Sequence, residues 1–233
     1  MKFSESLVSG RLVRRYKRFL CDVQLDTGEL TTAHCPNPGS MLGLKEPGSQ
    51  VWLMPVKDKN RKLPYSWELI HVNEVLVGIN AGRANRIVEE ALLTGAINEL
   101  VGYGSIRREV AYGTRSRIDF LLESGCDAKC FVEVKNVHLS RVTGLAEFPD
   151  SVTARGLKHL EELSKIVSEG GRGVMLYLVQ RGDCNGFSVA ADIDSAYADA
   201  FRRARDSGVQ MLCYRCDVNT ESVVLNERIE LVC

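Results

Sequence analysis

Hydrophobic and polar positions follow two different rhythms along the chain. Up to about residue 80 the apolar positions fall in short runs, 11–25, 51–56, 65–71 and 74–79, rich in β-branched and aromatic residues. Turn-forming clusters separate them: Asp26-Thr-Gly28, Pro36-Asn-Pro-Gly39, Glu46-Pro-Gly48 and Asp58-Lys-Asn60. Short strands at this spacing, with no helical period, predict an all-β unit over 1–81, a small barrel.

From Gly82 onward helices join in. Residues 83–94 carry helix formers and stop at Gly95, a C-terminal cap signal. Strands are predicted over 105–112, 116–122 and 130–137. Residues 151–169 read as an amphipathic helix with Asp150 or Ser151 as its cap and Gly170-Gly171 as its stop. Leu157, Leu160, Leu163 and Val167 form its buried stripe. The run Gly173-Val-Met-Leu-Tyr-Leu-Val-Gln180 is almost continuously apolar, as in a strand buried on both faces. A helix over 193–206 and a strand over 209–217 complete the order α-β-β-β-α-β-α-β. Residues 82–233 are therefore expected to form a mixed α/β domain, a meander followed by helical crossovers.

The candidate chemistry lies in the meander. Ile118-Asp-Phe-Leu-Leu122 and Phe131-Val-Glu-Val-Lys-Asn-Val137 are strand-like, and the polar residues 123–130 between them fold one back on the other. Alternation places Glu133 and Lys135 on one face and Val132 and Val134 on the other. Asp119, Glu133 and Lys135 then converge. By themselves the three read as solvated charges and a turn residue. In a central strand flanked by apolar residues, charges are expensive unless paired or bound to metal. Two carboxylates and a backbone carbonyl, that of Val134, suit Mg²⁺ or Mn²⁺, which favours oxygen ligands and retains water. Lys135 would orient the attacking water or hold a phosphate oxygen of a phosphodiester.

Composition changes this picture little: the chain is ordinary for a globular protein, with 45% hydrophobic and 26% charged residues and no net charge. The charge is unevenly spread, with 11 Lys/Arg against 8 Asp/Glu in 1–81 and 19 against 22 in 82–233. Arg11, Arg14, Arg15, Lys17 and Arg18 surround Tyr16 and Phe19 in one run, read as part of a basic strand. Cations bind phosphates and aromatic faces stack on bases, so Arg14, Arg15, Tyr16, Lys17 and Arg18 are candidate nucleic-acid contacts; the competing reading is a charge-guarded strand edge. Cys126, Cys130, Cys213 and Cys216 have zinc-like spacing, but residues three apart on a strand face opposite ways, which favours buried reduced thiols. His34 and Ser40 lack a third group to form a nucleophilic triad. No apolar stretch is long enough to span a membrane, and the expected location is the cytoplasm.

Residues 82–217 resemble the PD-(D/E)xK phosphodiesterase superfamily, with Asp119 in the Asp position, Ile118 where the motif has proline, and Glu133-Val-Lys135 as the E-x-K element. The whole chain resembles the sugar fermentation stimulation protein A family. His34-Cys-Pro-Asn-Pro-Gly-Ser-Met41, Ser116-Arg-Ile-Asp-Phe120, Glu133-Val-Lys-Asn-Val137 and Phe148-Pro-Asp-Ser-Val-Thr-Ala-Arg-Gly-Leu-Lys-His-Leu160 carry the match. It departs at Pro38, where the family usually has Thr, and at Ser151, where it usually has Ala.

The resemblance implies an OB-like barrel joined to a PD-(D/E)xK nuclease-like domain, with DNA binding of low sequence specificity. It also implies a further carboxylate on the helix over 83–94. Helical geometry does not choose between Glu89 and Glu90; the resemblance favours Glu90. Arg155, Lys158 and His159 share one face of the next helix and are read as phosphate contacts. Arg115 and Arg117 flank the Asp119 strand, and Arg117 is read as touching substrate. The expected function is a Mg²⁺-dependent nuclease acting on DNA or RNA through backbone contacts. The alternative is a non-catalytic DNA-binding regulator of sugar-metabolism genes with a vestigial pocket.

Overall fold

The computed structural model of the protein describes residues 1–58, 60–112, 116–125 and 128–232. Arg115 and Cys126 lie outside the described residues. Six strands build the N-terminal unit: β1 (Val8–Tyr16), β2 (Leu20–Leu25), β3 (Leu30–His34), β4 (Gln50–Pro55), β5 (Tyr65–Val72) and β6 (Val75–Gly78). Their order is β3-β2-β1-β4-β5-β6, and a parallel contact between His34 and Ser66 joins β3 to β5. Five strands thus close on themselves, in the OB topology, around Leu12, Val23, Leu53, Trp67 and Ile70. The run over 11–25 forms a hairpin, β1 and β2. Lys17 and Arg18, at φ 48° and 66°, reverse the chain in the left-handed region, so the basic segment is a strand end plus its turn. β3 was not anticipated, because Leu30 is exposed and Thr31-Thr32 carry little apolar signal.

The second unit contains α1 (Ala84–Leu93), β7 (Ser105–Tyr112), β8 (Ser116–Glu123), β9 (Lys129–Val137), β10 (Leu139–Val142), β11 (Leu145–Phe148), α2 (Ala154–Ser168), β12 (Arg172–Val179), β13 (Gly186–Val189), α3 (Ser195–Asp206), β14 (Gln210–Val218), β15 (Val223–Arg228) and β16 (Glu230–Leu231). The main sheet runs β15-β14-β12-β9-β8-β7; β9, β12 and β14 are parallel and the outer pairs antiparallel. α1 covers one face, packing Ile87 and Val88 with Phe120, Val132 and Leu176. α2 and α3 cover the other, packing Leu160, Leu163 and Phe201 with Met175 and Tyr177. This is the mixed-sheet domain expected from the sequence. β10, β11, β13 and β16 form a small second sheet that escaped the sequence pattern because its strands are at most four residues long. α2 starts later than expected. Its cap is Thr153, whose hydroxyl accepts from Gly156 N at 3.0 Å, rather than Asp150 or Ser151. Among the described residues no helix is long and apolar enough to cross a membrane.

The barrel docks against the ends of β9 and β12. Gly78 N donates to Gln180 O at 2.8 Å, and Gln180 Nε2 donates to Asn80 O at 3.3 Å and to Asn136 Oδ1. A Cβ on Gly78 would lie 2.6 Å from Gln180 Oε1 and 3.1 Å from Gln180 Cβ, so a larger residue would push the Gln180 side chain out of this contact. On the other side, Asp150 accepts from Met41 N at 3.0 Å and lies 3.2 Å from His138 Nε2. Burial pushes the Asp150 carboxyl up, but His138 and the Met41 amide outweigh it and hold it at about 2, against an ordinary 3.8. A depressed carboxyl stabilises the fold above its unfolded value and stops doing so as pH falls through its folded value. The advantage of wild type over Asp150→Asn is therefore expected to be about 2 kcal/mol at neutral pH, and to vanish between about pH 4 and pH 2. Urea unfolding of both proteins across that window measures it.

Candidate active site

Asp119 sits where β8 parts from β9. The ladder between them runs from Glu123–Lys129 to Phe120–Val132. Beyond it, Asp119 Oδ2 accepts from Val134 N at 2.8 Å, so a carboxylate replaces a main-chain partner. In an antiparallel ladder a residue's N–H and C=O leave along the same edge. The Val134 carbonyl therefore faces the same opening. Both β7 and β8 change faces here: Ile106 and Phe120 pack on the α1 side, whereas Val110 and Ile118 pack on the α2 side. Glu109, in register opposite Asp119, takes φ 52°. The twist turns Asp119 toward the first turn of α1, where Asn85 Nδ2 donates to Asp119 Oδ1 at 2.7 Å.

Glu133 and Lys135 share the α2 face of β9, as alternation predicts, while Val132 and Val134 pack toward α1. Lys135 Nζ donates to Glu133 Oε1 at 2.7 Å and lies 3.0 Å from His159 Nδ1; the same imidazole nitrogen lies against Glu133 Oε1. The Glu133 side chain is 3% exposed, and its other oxygen, Oε2, has no hydrogen-bond partner among the described residues. Burial pushes the Glu133 carboxyl up; the His159 contact and the Lys135 ammonium reverse this and hold it below the ordinary range. Asp119 shifts the other way, raised first by burial and then by Glu133. Asp119 is thus the carboxylate whose charge the surroundings disfavour.

This donor set fits a divalent cation. A buried carboxylate oxygen without a donor is costly, and a second buried carboxylate beside it compounds the cost. Among the described residues no three His, Cys, Asp or Glu side chains gather as a metal cluster. Asp119, Glu133 and the Val134 carbonyl would leave the remaining positions to water, which is how Mg²⁺ prefers to bind.

Residues 82–222 match the family described as “Sugar fermentation stimulation protein RE domain”, and residues 13–79 match “SfsA N-terminal OB domain”. The chain belongs to the sugar fermentation stimulation protein A family. It is 51% identical to a sugar fermentation stimulation protein homolog of Brucella anthropi over 99% of this chain and 100% of that one. A homolog of Jannaschia sp. is 54% identical over 97% and 94% of the two chains. The structure of Pyrococcus furiosus SfsA in complex with Ca²⁺ superimposes with a TM-score of 0.90 at 23% identity, covering 100% of this chain and 98% of that one. The SfsA fold is thus shared along the full length.

Two candidates occupy different places from those expected. Glu90 does not reach the carboxylates: it pairs with the Met1 amine at 2.8 Å and Arg86 at 3.7 Å, because α1 turns this position toward the chain start. Glu89 pairs with Arg108 at 2.9 Å. The α1 residue at the site is Asn85, one turn before Glu89, and nothing in the sequence singled it out. His159, read as a phosphate contact, is buried at 4% exposure against Glu133. Arg155 Nε lies 3.4 Å from His159 Nε2, and Lys158 pairs with Glu162 at 3.6 Å, so both sit on the rim of the site. Glu162 was also missed. It falls three residues after His159 and four after Lys158, on the same helix face, so the period of α2 carried the signal. It accepts from Ser116 Oγ at 2.8 Å, and burial together with Glu133 and Glu162 drives the nearby Tyr112 hydroxyl far above its ordinary value.

On the barrel, Arg15 is a brace: its guanidinium donates to Asn37 O at 2.8 Å and Gly39 O at 2.9 Å. Arg18 donates to Pro38 O at 2.7 Å. Arg14 pairs with Asp22 at 2.7 Å and lies over the Tyr16 ring at 4.8 Å. These contacts set the 36–41 loop against Asp150, close to the end of β9. Arg14, Lys17, Arg18 and Arg117 remain exposed.

Proposed function

We propose that the protein is a divalent-metal-dependent phosphodiesterase that acts on nucleic acid, DNA or RNA, mainly through its backbone. Glu133 Oε2, buried near Asp119 and without a hydrogen-bond partner among the described residues, carries this reading, with Lys135 on the other oxygen. Asp119, Glu133 and the Val134 carbonyl would hold Mg²⁺ or Mn²⁺, which when bound neutralises charge at the scissile phosphate and lowers the pKa of a water. Lys135 Nζ, half-released from Glu133 once that charge is shared, would orient the attacking water or hold a phosphate oxygen. Arg117, Arg155 and Lys158 ring the opening and would take flanking phosphates. The Ca²⁺ complex of Pyrococcus furiosus SfsA supports a divalent cation in this family. A cytoplasmic location accords with the buried, unpaired Cys21, Cys35, Cys130, Cys184, Cys213 and Cys216. The site offers no feature for sugar chemistry.

Purified protein incubated with single- and double-stranded DNA and RNA, in Mg²⁺, Mn²⁺ or EDTA, tests the reading. Cleavage that requires metal supports it. Binding without cleavage in any metal would leave a DNA-binding regulator instead. The barrel's share is measured separately. Lys17→Glu should weaken DNA binding and lower the slope of log affinity against log salt by about 1, the signature of one lost phosphate contact. An unchanged slope moves the binding surface away from the β1–β2 turn.

A further inference from the structure

We propose that Glu68, a barrel residue, is a positioning residue for Asp119 in the other domain, acting through Asn80, Arg83 and Asn85. Its part in catalysis rests on the metal-site reading above; the positioning itself does not.

Glu68 owes its direction to a β-bulge. Trp52 pairs with Leu69 and Leu53 with Trp67, which leaves Glu68 as the extra residue on β5. Bulges re-aim side chains and leave a residue outside the ladder. The Glu68 carbonyl is taken by Ile79 N at 2.9 Å, and its carboxylate, 1% exposed, points at the segment leading into α1. Asn80 Nδ2 donates to its two oxygens at 3.0 and 2.9 Å, and Arg83 grips them as a fork at 2.8 and 3.1 Å.

What these contacts hold is the start of α1. Asn80 Oδ1 accepts from Gly82 N at 3.0 Å and caps the short 3₁₀ turn Ala81–Arg83. Arg83 then occupies the N-cap position of α1, where it makes no side-chain cap, and the first turn carries no acidic residue. α1 itself thus lacks a side-chain cap and an acidic first turn, and its start depends on the preceding turn that Asn80 caps. The Glu68 clamp holds both that cap and Arg83. Asn85 sits two residues past Arg83 and donates to Asp119 Oδ1 at 2.7 Å; Asp119 Oδ2 in turn accepts from Val134 N at 2.8 Å. A buried ion pair of this kind adds little net stability over an apolar pair, so its distinctive contribution is geometry.

The test uses the full chain and compares wild type, Glu68→Gln, Arg83→Lys, Asn85→Ala and the Glu68→Gln/Asn85→Ala double variant. Three quantities are read: hydrogen exchange at the Val134 amide without metal, Mn²⁺ affinity by calorimetry, and Tm. Glu68→Gln and Asn85→Ala should each speed Val134 exchange by roughly tenfold while the β12–β14 amides keep their wild-type rates. Mn²⁺ affinity should fall about 10-fold or more, as for outer residues that orient metal ligands. The double variant should be no worse than Asn85→Ala alone, because Glu68 acts through Asn85. Arg83→Lys keeps the charge but loses the fork and should show the same pattern, more weakly. A lower Tm with Val134 exchange and Mn²⁺ affinity both at wild-type values would overturn the proposal and leave Glu68 a brace between domains. Faster Val134 exchange in a protein that binds no Mn²⁺ would uphold the positioning and overturn the metal reading.

Discussion

Lys135→Ala is expected to slow metal-dependent cleavage by roughly 10²–10⁴-fold while leaving Mn²⁺ binding intact, the range seen when a positioned proton-handling or charge-stabilising group is lost. The two halves of that result come from different atoms. Lys135 Nζ contacts Glu133 Oε1, whereas the unpartnered Oε2 is the oxygen free to bind a cation. Removing the ammonium deletes a competing positive charge from Glu133 and leaves His159 in place to hold it. Asp119→Ala should behave differently and lose both Mn²⁺ binding and cleavage. That variant also removes the acceptor of both Asn85 Nδ2 and the Val134 amide. Single-turnover cleavage with calorimetric Mn²⁺ titration separates the two. Wild-type cleavage by Lys135→Ala would remove the lysine from the mechanism.

The central sheet and the hairpin that carries the candidate site were legible because they depend on local rules. Strand alternation placed Glu133 with Lys135, and β12 was visible as an unbroken apolar run, buried from Gly173 to Val179. The barrel was visible through its turns. Features set by tertiary contacts were not. Asn85 resembles any polar residue of a first helical turn until the twist at Glu109 and Asp119 brings the strand to it. Glu68 looks like an ordinary charge in an apolar strand until the bulge turns it toward Asn80 and Arg83.

The basic run around Tyr16 shows the opposite failure. Composition flagged it correctly as a cation cluster, but composition cannot say which cations are already spent. Arg15 and Arg18 donate to backbone carbonyls of the 36–39 loop, and Arg14 to Asp22. The departure at Pro38 is instructive here. Proline removes a side-chain donor and a backbone N–H but keeps its carbonyl, and the carbonyl is what Arg18 uses. The loop is then locked to Asp150, whose carboxylate would collide with any Cβ at Gly39, 2.4 Å away.

Mn²⁺ at about 100 times its Kd should add about 2.7 kcal/mol to folding stability and raise Tm by roughly 5–10 °C in a chain of this length. The gain depends on pH in a direction that the site dictates. Burial and Glu133 raise the Asp119 carboxyl, so its folded value exceeds its unfolded value. Such a group stabilises the metal-free protein while protonated and withdraws that stability as pH rises through its folded value. A cation relieves this penalty only where Asp119 is ionised, and below that range it must displace a proton first. The Mn²⁺-induced rise in Tm should therefore shrink as pH is lowered from neutrality into the range where Asp119 takes up its proton. Asp119→Asn keeps a carbonyl for the Val134 amide and an amide group that Asn85 can face by reversing its own. It should match or exceed wild type in Tm near pH 8 without metal, and show no Mn²⁺ response. A Mn²⁺ shift of the same size in Asp119→Asn would place the cation elsewhere on the protein and detach the carboxylates from any metal chemistry.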